Sequence, residues 1–168
     1  LKGAFDMSTA TSAERLILDG NRRDHTVAAL QQCLTTLIDL ALQFKQAHWN
    51  LVGDRFLSVH EQLDTIIDSA RAASDEVAER IAALGVAADG RPGTVDEHSA
   101  LDSFPEGRLG VDETVRLVAD RLQTTSQCLR KSIDTVSDLD PISEDMLIGI
   151  CGPLEKHLWM VQSQEITP

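Results

Sequence analysis

Apolar residues return along this chain every three or four positions over long stretches, the mark of amphipathic helices rather than strands. Val27, Leu30, Leu34, Leu37, Ala41, Phe44 and His48 form one stripe, which predicts a long first helix ending near Leu51. Val52 and Gly53 break it, and Asp54 offers an N-cap for the next. That second helix carries Val59, Leu63, Ile66, Ala70, Ala73, Val77, Ile81 and Leu84 on one face and stops at Gly85. A third is expected from Val111 through Val115, Val118, Leu122, Leu129 and Val136 to Leu139, closed by Asp140-Pro141. Ser143 can cap a fourth, which runs through Leu147, Ile150, Leu154, Leu158 and Val161. Pro153 should kink that helix or remove one of its backbone hydrogen bonds.

Between the second and third helices, Gly85, Gly90, Pro92, Gly93, Pro105, Gly107 and Gly110 mark a long connection, with a short helix expected near Val95 to Leu101. So long a loop is uncommon inside a compact domain. A crossover in an up-down-down-up bundle accounts for it. The expected fold is all-α: a four-helix bundle over 24–165 with a long crossover between helices 2 and 3. A polar arm over 1–23 precedes it, with weak helical patterning around Glu14 to Leu18.

A chain of 168 residues suits one domain with a real core. Aromatics are 4% with no Tyr, thin for a β-sandwich or a base-stacking protein. The formal net charge of −12 argues against attraction to DNA or anionic membranes and fits either a solubilising surface or a protein that draws in cations. Cys33, Cys128 and Cys151 are widely spaced without a C-x-x-C, which reads as buried thiols in a reducing cytoplasm. No apolar run looks like a membrane span and no signal pattern opens the chain, with Met7 a candidate natural start.

Two stretches carry chemistry: Lys45-Gln46-Ala47-His48-Trp49-Asn50 and His60-Glu61-Gln62-Leu63-Asp64. His60 and Asp64 are four apart and share a helix face, as do Asp75 and Glu79 further along. Imidazoles mixed with carboxylates suit iron or zinc better than calcium or magnesium. Asp64 and Asp75 are eleven residues apart, so both pairs point the same way but stand ~16 Å apart along the helix. One ion cannot bridge that span with metal–ligand bonds of ~2 Å. An antiparallel two-fold partner would bring its Asp75 and Glu79 beside His60 and Asp64, giving two equivalent sites. Ser69, Ala70, Ala72 and Ala73 near the midpoint would permit close approach. Taken singly, each group also has an ordinary reading: a core histidine, a surface pair, a solvated acidic face.

The motifs K-Q-A-H-W-N-L-V-G, F-x-x-V-H-E-Q-L-D and D-E-V-A-E-R-I-x-x-L-G, from Lys45 to Gly85, resemble the signature of the Dps family, the small bacterial ferritins. Leu154 to Met160 resembles that family's last helix. The resemblance implies a ferritin-like bundle whose iron ligands fall on His48, His60 and Asp64 of one subunit and Asp75 and Glu79 of its two-fold mate. It further implies a cytoplasmic dodecamer that oxidises Fe(II), preferably with hydrogen peroxide, and stores ferric mineral against oxidative stress. Trp49 resembles the family's site-proximal tryptophan, and Asp140, Glu144 and Asp145 fall where the family places an acidic pore. An acidic first turn that complements the helix dipole explains those three equally well. Iron binding should weaken below about pH 6, because the imidazoles must be neutral. Direct DNA binding is not expected, since the tails hold little beyond Lys2, Arg15, Arg22 and Arg23. The alternative function is a non-enzymatic shell for DNA compaction or structural assembly. A larger ferritin with its centre inside each bundle would want Glu-x-x-His pairs, which this sequence lacks. His25, His98 and His157 are left as surface or structural groups.

Overall fold

The computed structural model describes residues 15–165. Asp19 opens the first helix, α1 (Gly20–Asn50), by accepting a hydrogen bond from the Arg22 backbone N–H at 3.1 Å. The helix therefore starts before its apolar stripe. Most of the expected arm lies outside the described residues; Arg15 to Leu18 are not helical, and Leu18 packs on the core instead. Two residues, Leu51–Val52 (β1), lead to α2 (Phe56–Ala83). Arg55, not Asp54, stands at its N-cap, without a side-chain cap bond. Gly85 ends the segment at φ +80°, a conformation that costs little only without a Cβ.

The connection contains α3 (Pro92–His98) and the short strand β2 (Leu109–Gly110), followed by α4 (Val111–Val136) and α5 (Pro141–Gln162). Leu51 pairs with Leu109 and Val52 with Gly110 in parallel register. Since α2 follows β1 and α4 follows β2, this pairing makes the two helices run the same way. The bundle is therefore up-down-down-up, with α1 and α2 antiparallel and α4 and α5 antiparallel. At the same junction Gly53 has φ +136°, and a Cβ there would come within 3.3 Å of Val111. The crossover is bound to α1 by side chains: Gln31 donates to the Asp89 carbonyl at 2.7 Å, Gln32 to that of His98 at 2.8 Å, and Gln43 to that of Asp102 at 3.0 Å.

The core contains the expected apolar stripes, with Leu30, Leu37 and Phe44 of α1, Leu63, Ile66 and Ile81 of α2, Leu122 and Leu129 of α4, and Leu147 and Leu154 of α5; Leu40 and Ile67, outside those stripes, are buried with them. By length and composition α1 could cross a membrane, contrary to the expectation that no run approaches a span. Its apolar residues are instead the centre of this core. α5 runs on through Pro153, which faces solvent.

Among the described residues, one ion pair has both side chains largely buried. Asp140, 3% exposed, binds Arg80 of α2 at 2.5 Å and accepts from the Ser143 hydroxyl. It is Asp140 that holds the N-cap position of α5, so Ser143 lies within the first turn rather than capping it. Burial pushes the Asp140 carboxyl up, but hydrogen bonds from Arg80 and Ser143 outweigh it and leave the group below the usual carboxylate value. Its contribution to stability is therefore complete at neutral pH and is lost as pH falls through that lowered value. Arg80→Ala leaves the buried carboxylate unpaired and should cost about 3 kcal/mol, read as a lower urea midpoint at pH 7; the loss should shrink in acid.

Candidate metal centre

The α1–α2 hairpin lays the C-terminal end of α1 against the N-terminal end of α2. His48, on the buried face of α1, meets His60 and Asp64 of α2, and donor atoms from the three lie within 4.8 Å of one another. The two imidazoles stack with centroids 3.6 Å apart, and Phe56 tilts over His60 at 5.0 Å. His60 Nδ1 lies 3.0 Å from the His48 carbonyl oxygen. A carbonyl only accepts, so that contact places the proton on Nδ1 and leaves Nε2 with a free lone pair. His48 Nε2 lies 2.9 Å from Asp64 Oδ2, while its Nδ1 is buried without a partner.

Asp64 is also bound by Lys45, whose ammonium sits 2.6 Å from Oδ1. The hydrogen bond from Lys45 lowers the Asp64 carboxyl below its ordinary value; slight burial opposes this, and His48 adds to it. Asp64 is thus ready to act as an anionic ligand. Sequence reasoning did not assign Lys45 a part. The signal was present, because Lys45 precedes His48 by three residues and so projects from the same side of α1.

Asp75 and Glu79 lie three turns further along α2, both exposed. They do not join the His48–His60–Asp64 group within the chain; among the described residues that trio is the one cluster disposed to hold a metal ion. Trp49, 67% exposed, follows His48 but points away from the core. Of the three expected pore residues, Glu144 is half-buried and Asp145 exposed in the first turns of α5. Asp140 is instead buried and paired with Arg80. His25 and His98 are exposed, whereas His157 is buried with Nε2 3.2 Å from Ser69 Oγ.

A ferritin-like domain model matches residues 27–165. The DNA protection during starvation protein of Mycolicibacterium smegmatis is 39% identical over 134 residues, covering 80% of this chain and 73% of that protein. The chain belongs to the Dps family. That of Agrobacterium fabrum is 32% identical over 147 residues, 87% of this chain and 91% of its own. The fine tangled pili major subunit of Haemophilus ducreyi is 39% identical over 140 residues, 83% and 74% of the two chains. Among solved structures, Mycobacterium smegmatis Dps in a tetragonal form superposes with a TM-score of 0.85 at 35% identity, covering 93% of each chain. DpsA14 from Streptomyces coelicolor gives 0.85 at 32% identity and 88% of each. Membership in the Dps family makes this a ferritin-like protein of iron storage and protection from oxidative damage.

If His60 Nε2 and the Asp64 carboxylate are ligands, each holds the ion directly. Titrating the assembled protein anaerobically with Co(II), a spectroscopic substitute for Fe(II), should show His60→Ala and Asp64→Asn each weakening binding by at least tenfold. Unchanged binding in both variants would remove the trio as a metal site.

Proposed function

We propose that this Dps protein is a ferroxidase whose centre is completed across a two-fold interface. His48, His60 and Asp64 come from one subunit and Asp75 and Glu79 from its mate. The observation that carries this reading is the incomplete trio: two imidazoles and one carboxylate gathered at one point of α2, with the remaining acidic pair out of reach on the same rod. Apolar side chains left exposed around the α1–α2 corner, Trp49, Val52, Phe56 and Leu57, give a second copy something to bury there. Twelve subunits closing into a hollow shell is the assembly we expect.

Fe(II) is the substrate. His60 would offer Nε2, and Asp64 would exchange its Lys45 or His48 contact for the incoming cation. His48 would give up the proton that Nε2 shares with Asp64. Anionic oxygen ligands stabilise Fe(III) more than Fe(II), so charge gathered at the site favours oxidation. Two Fe(II) ions each release one electron to one hydrogen peroxide, which takes up two protons and leaves as two waters. Paired transfer avoids a hydroxyl radical. Sparse protein ligation leaves positions open for the oxidant and lets the ferric product move on to the mineral. Glu144 and Asp145 are the carboxylates we expect at the entry pore. Three free thiols are consistent with a reducing cytoplasm.

The second reading, a non-enzymatic shell that compacts DNA or builds a larger structure, draws on the names of the M. smegmatis and H. ducreyi relatives. The gathered ligand trio weighs against an inert shell, and the net charge of −12 weighs against DNA compaction. Anaerobic loading with Fe(II) followed by hydrogen peroxide separates the two. Rapid growth of ferric absorbance is expected in the wild type, with a large loss in His48→Ala/His60→Ala; equal rates in both would contradict the ferroxidase reading.

A further inference from the structure

Beside the imidazoles and the carboxylate of the metal centre stands a group of opposite sense, the Lys45 ammonium. It lies 2.6 Å from Asp64 Oδ1. The other carboxylate oxygen, Oδ2, faces His48 Nε2 at 2.9 Å. Asp64 is thus divided between a fixed cation on one oxygen and, on the other, an imidazole that can give its place to a metal ion. Among the described residues, no other lysine or arginine pairs with a member of the trio.

Stability does not account for an ammonium in this place. The Lys45 side chain is 24% exposed and that of Asp64 48% exposed, and a partly solvated ion pair of this kind adds little to a fold. Capture of a cation does not account for it either, since a positive charge beside the ligands repels the incoming ion. What such a charge does is discriminate between ions. Repulsion grows with the product of the charges, so a trivalent ion is opposed half as strongly again as a divalent one. An ion held through Oδ2 lies on the order of 5 Å from an ammonium on Oδ1, across one carboxylate group. Even at the dielectric of water, a unit charge at that separation weakens a divalent ion about tenfold and a trivalent ion about fiftyfold.

We propose that Lys45 is the release determinant of the iron centre: it stays on Asp64 Oδ1 while iron is held through Oδ2, and it weakens Fe(III) more than Fe(II). This inference rests on the shared ferroxidase centre proposed above. The carboxylates of that centre, Asp64 with Asp75 and Glu79 of the second copy, favour the ferric ion and by themselves would retain it. Lys45 offsets one of those charges, so the ion loses its hold once it is oxidised and passes to the mineral. A protonated lysine suits the task because it is a compact point charge with no lone pair to offer as a ligand. Lys45 acts through Asp64 and touches no reacting atom, which makes it a positioning residue.

The test compares two ions, Co(II) and Tb(III), titrated anaerobically into the assembled full-length protein. Lys45→Met keeps the apolar stem and removes the charge, Lys45→Gln removes the charge with a polar end, and Lys45→Arg retains it. In the Met and Gln variants, affinity should rise about tenfold for Co(II) and about fiftyfold for Tb(III), while Lys45→Arg stays near the wild type. A structural role alone would instead weaken both ions by a similar factor. After one stoichiometric pulse of Fe(II) and hydrogen peroxide, Lys45→Met should oxidise a second pulse severalfold more slowly than the wild type, its centres still holding ferric ion. Affinities that fall, stay unchanged or rise equally for the two ions would overturn the proposal and leave the centre standing. If Asp64→Asn binds both ions as the wild type does, the centre itself is wrong and the proposal fails with it.

Discussion

The α1–α2 seam is the contact on which the rest depends. Leu37, Leu40, Phe44 and Ala47 of one helix and Val59, Leu63, Ile66 and Ile67 of the other are all buried in the one core. Burial of each such large side chain contributes about 2 kcal/mol, so the seam leaves little freedom of register. That fixed register brings His48 of α1 within reach of Asp64 and lets the His48 carbonyl orient His60. The candidate trio of His48, His60 and Asp64 is thus a by-product of core packing, set on rigid helices rather than on loops. Lys45, one turn before His48, compensates the Asp64 charge.

The same rigidity sets what the single chain cannot do. A helix rises ~1.5 Å per residue, so Asp75 and Glu79 cannot bend back to His60. Meanwhile α2 is anchored at its far end by the buried Arg80–Asp140 pair to the corner between α4 and α5. Both ends of α2 are therefore held, one by its seam with α1 and one by an ion pair, and the acidic turn between them is left facing outward.

Much of this architecture was legible in the chain. The four long stripes predict the four long helices, because burial of apolar residues at three-four spacing has only one regular solution. His60 and Asp64 were readable as a face because their spacing is local. What escaped was set by distant partners. The two-residue parallel pairing of Leu51 with Leu109 has no local signature, yet it fixes the direction of α4. Asp140 looks like one more surface carboxylate in an acidic stretch until Arg80, sixty residues earlier, is brought against it. Asp54 and Ser143 are good caps by residue type, but the backbone turned one residue later in the first case and earlier in the second.

If each iron centre draws ligands from two subunits, mixing subunits should restore what separate substitutions remove. His48→Ala/His60→Ala and Asp75→Ala/Glu79→Ala each remove one half of the proposed cage, so each homogeneous assembly should lack ferroxidase activity. In a mixed dimer, one centre loses both halves while the other regains both. Co-assembled from equal amounts, the two inactive proteins should therefore recover a substantial fraction of wild-type Fe(II) oxidation. Mixtures that stay as inactive as their parents, although shown to co-assemble, would contradict a shared centre.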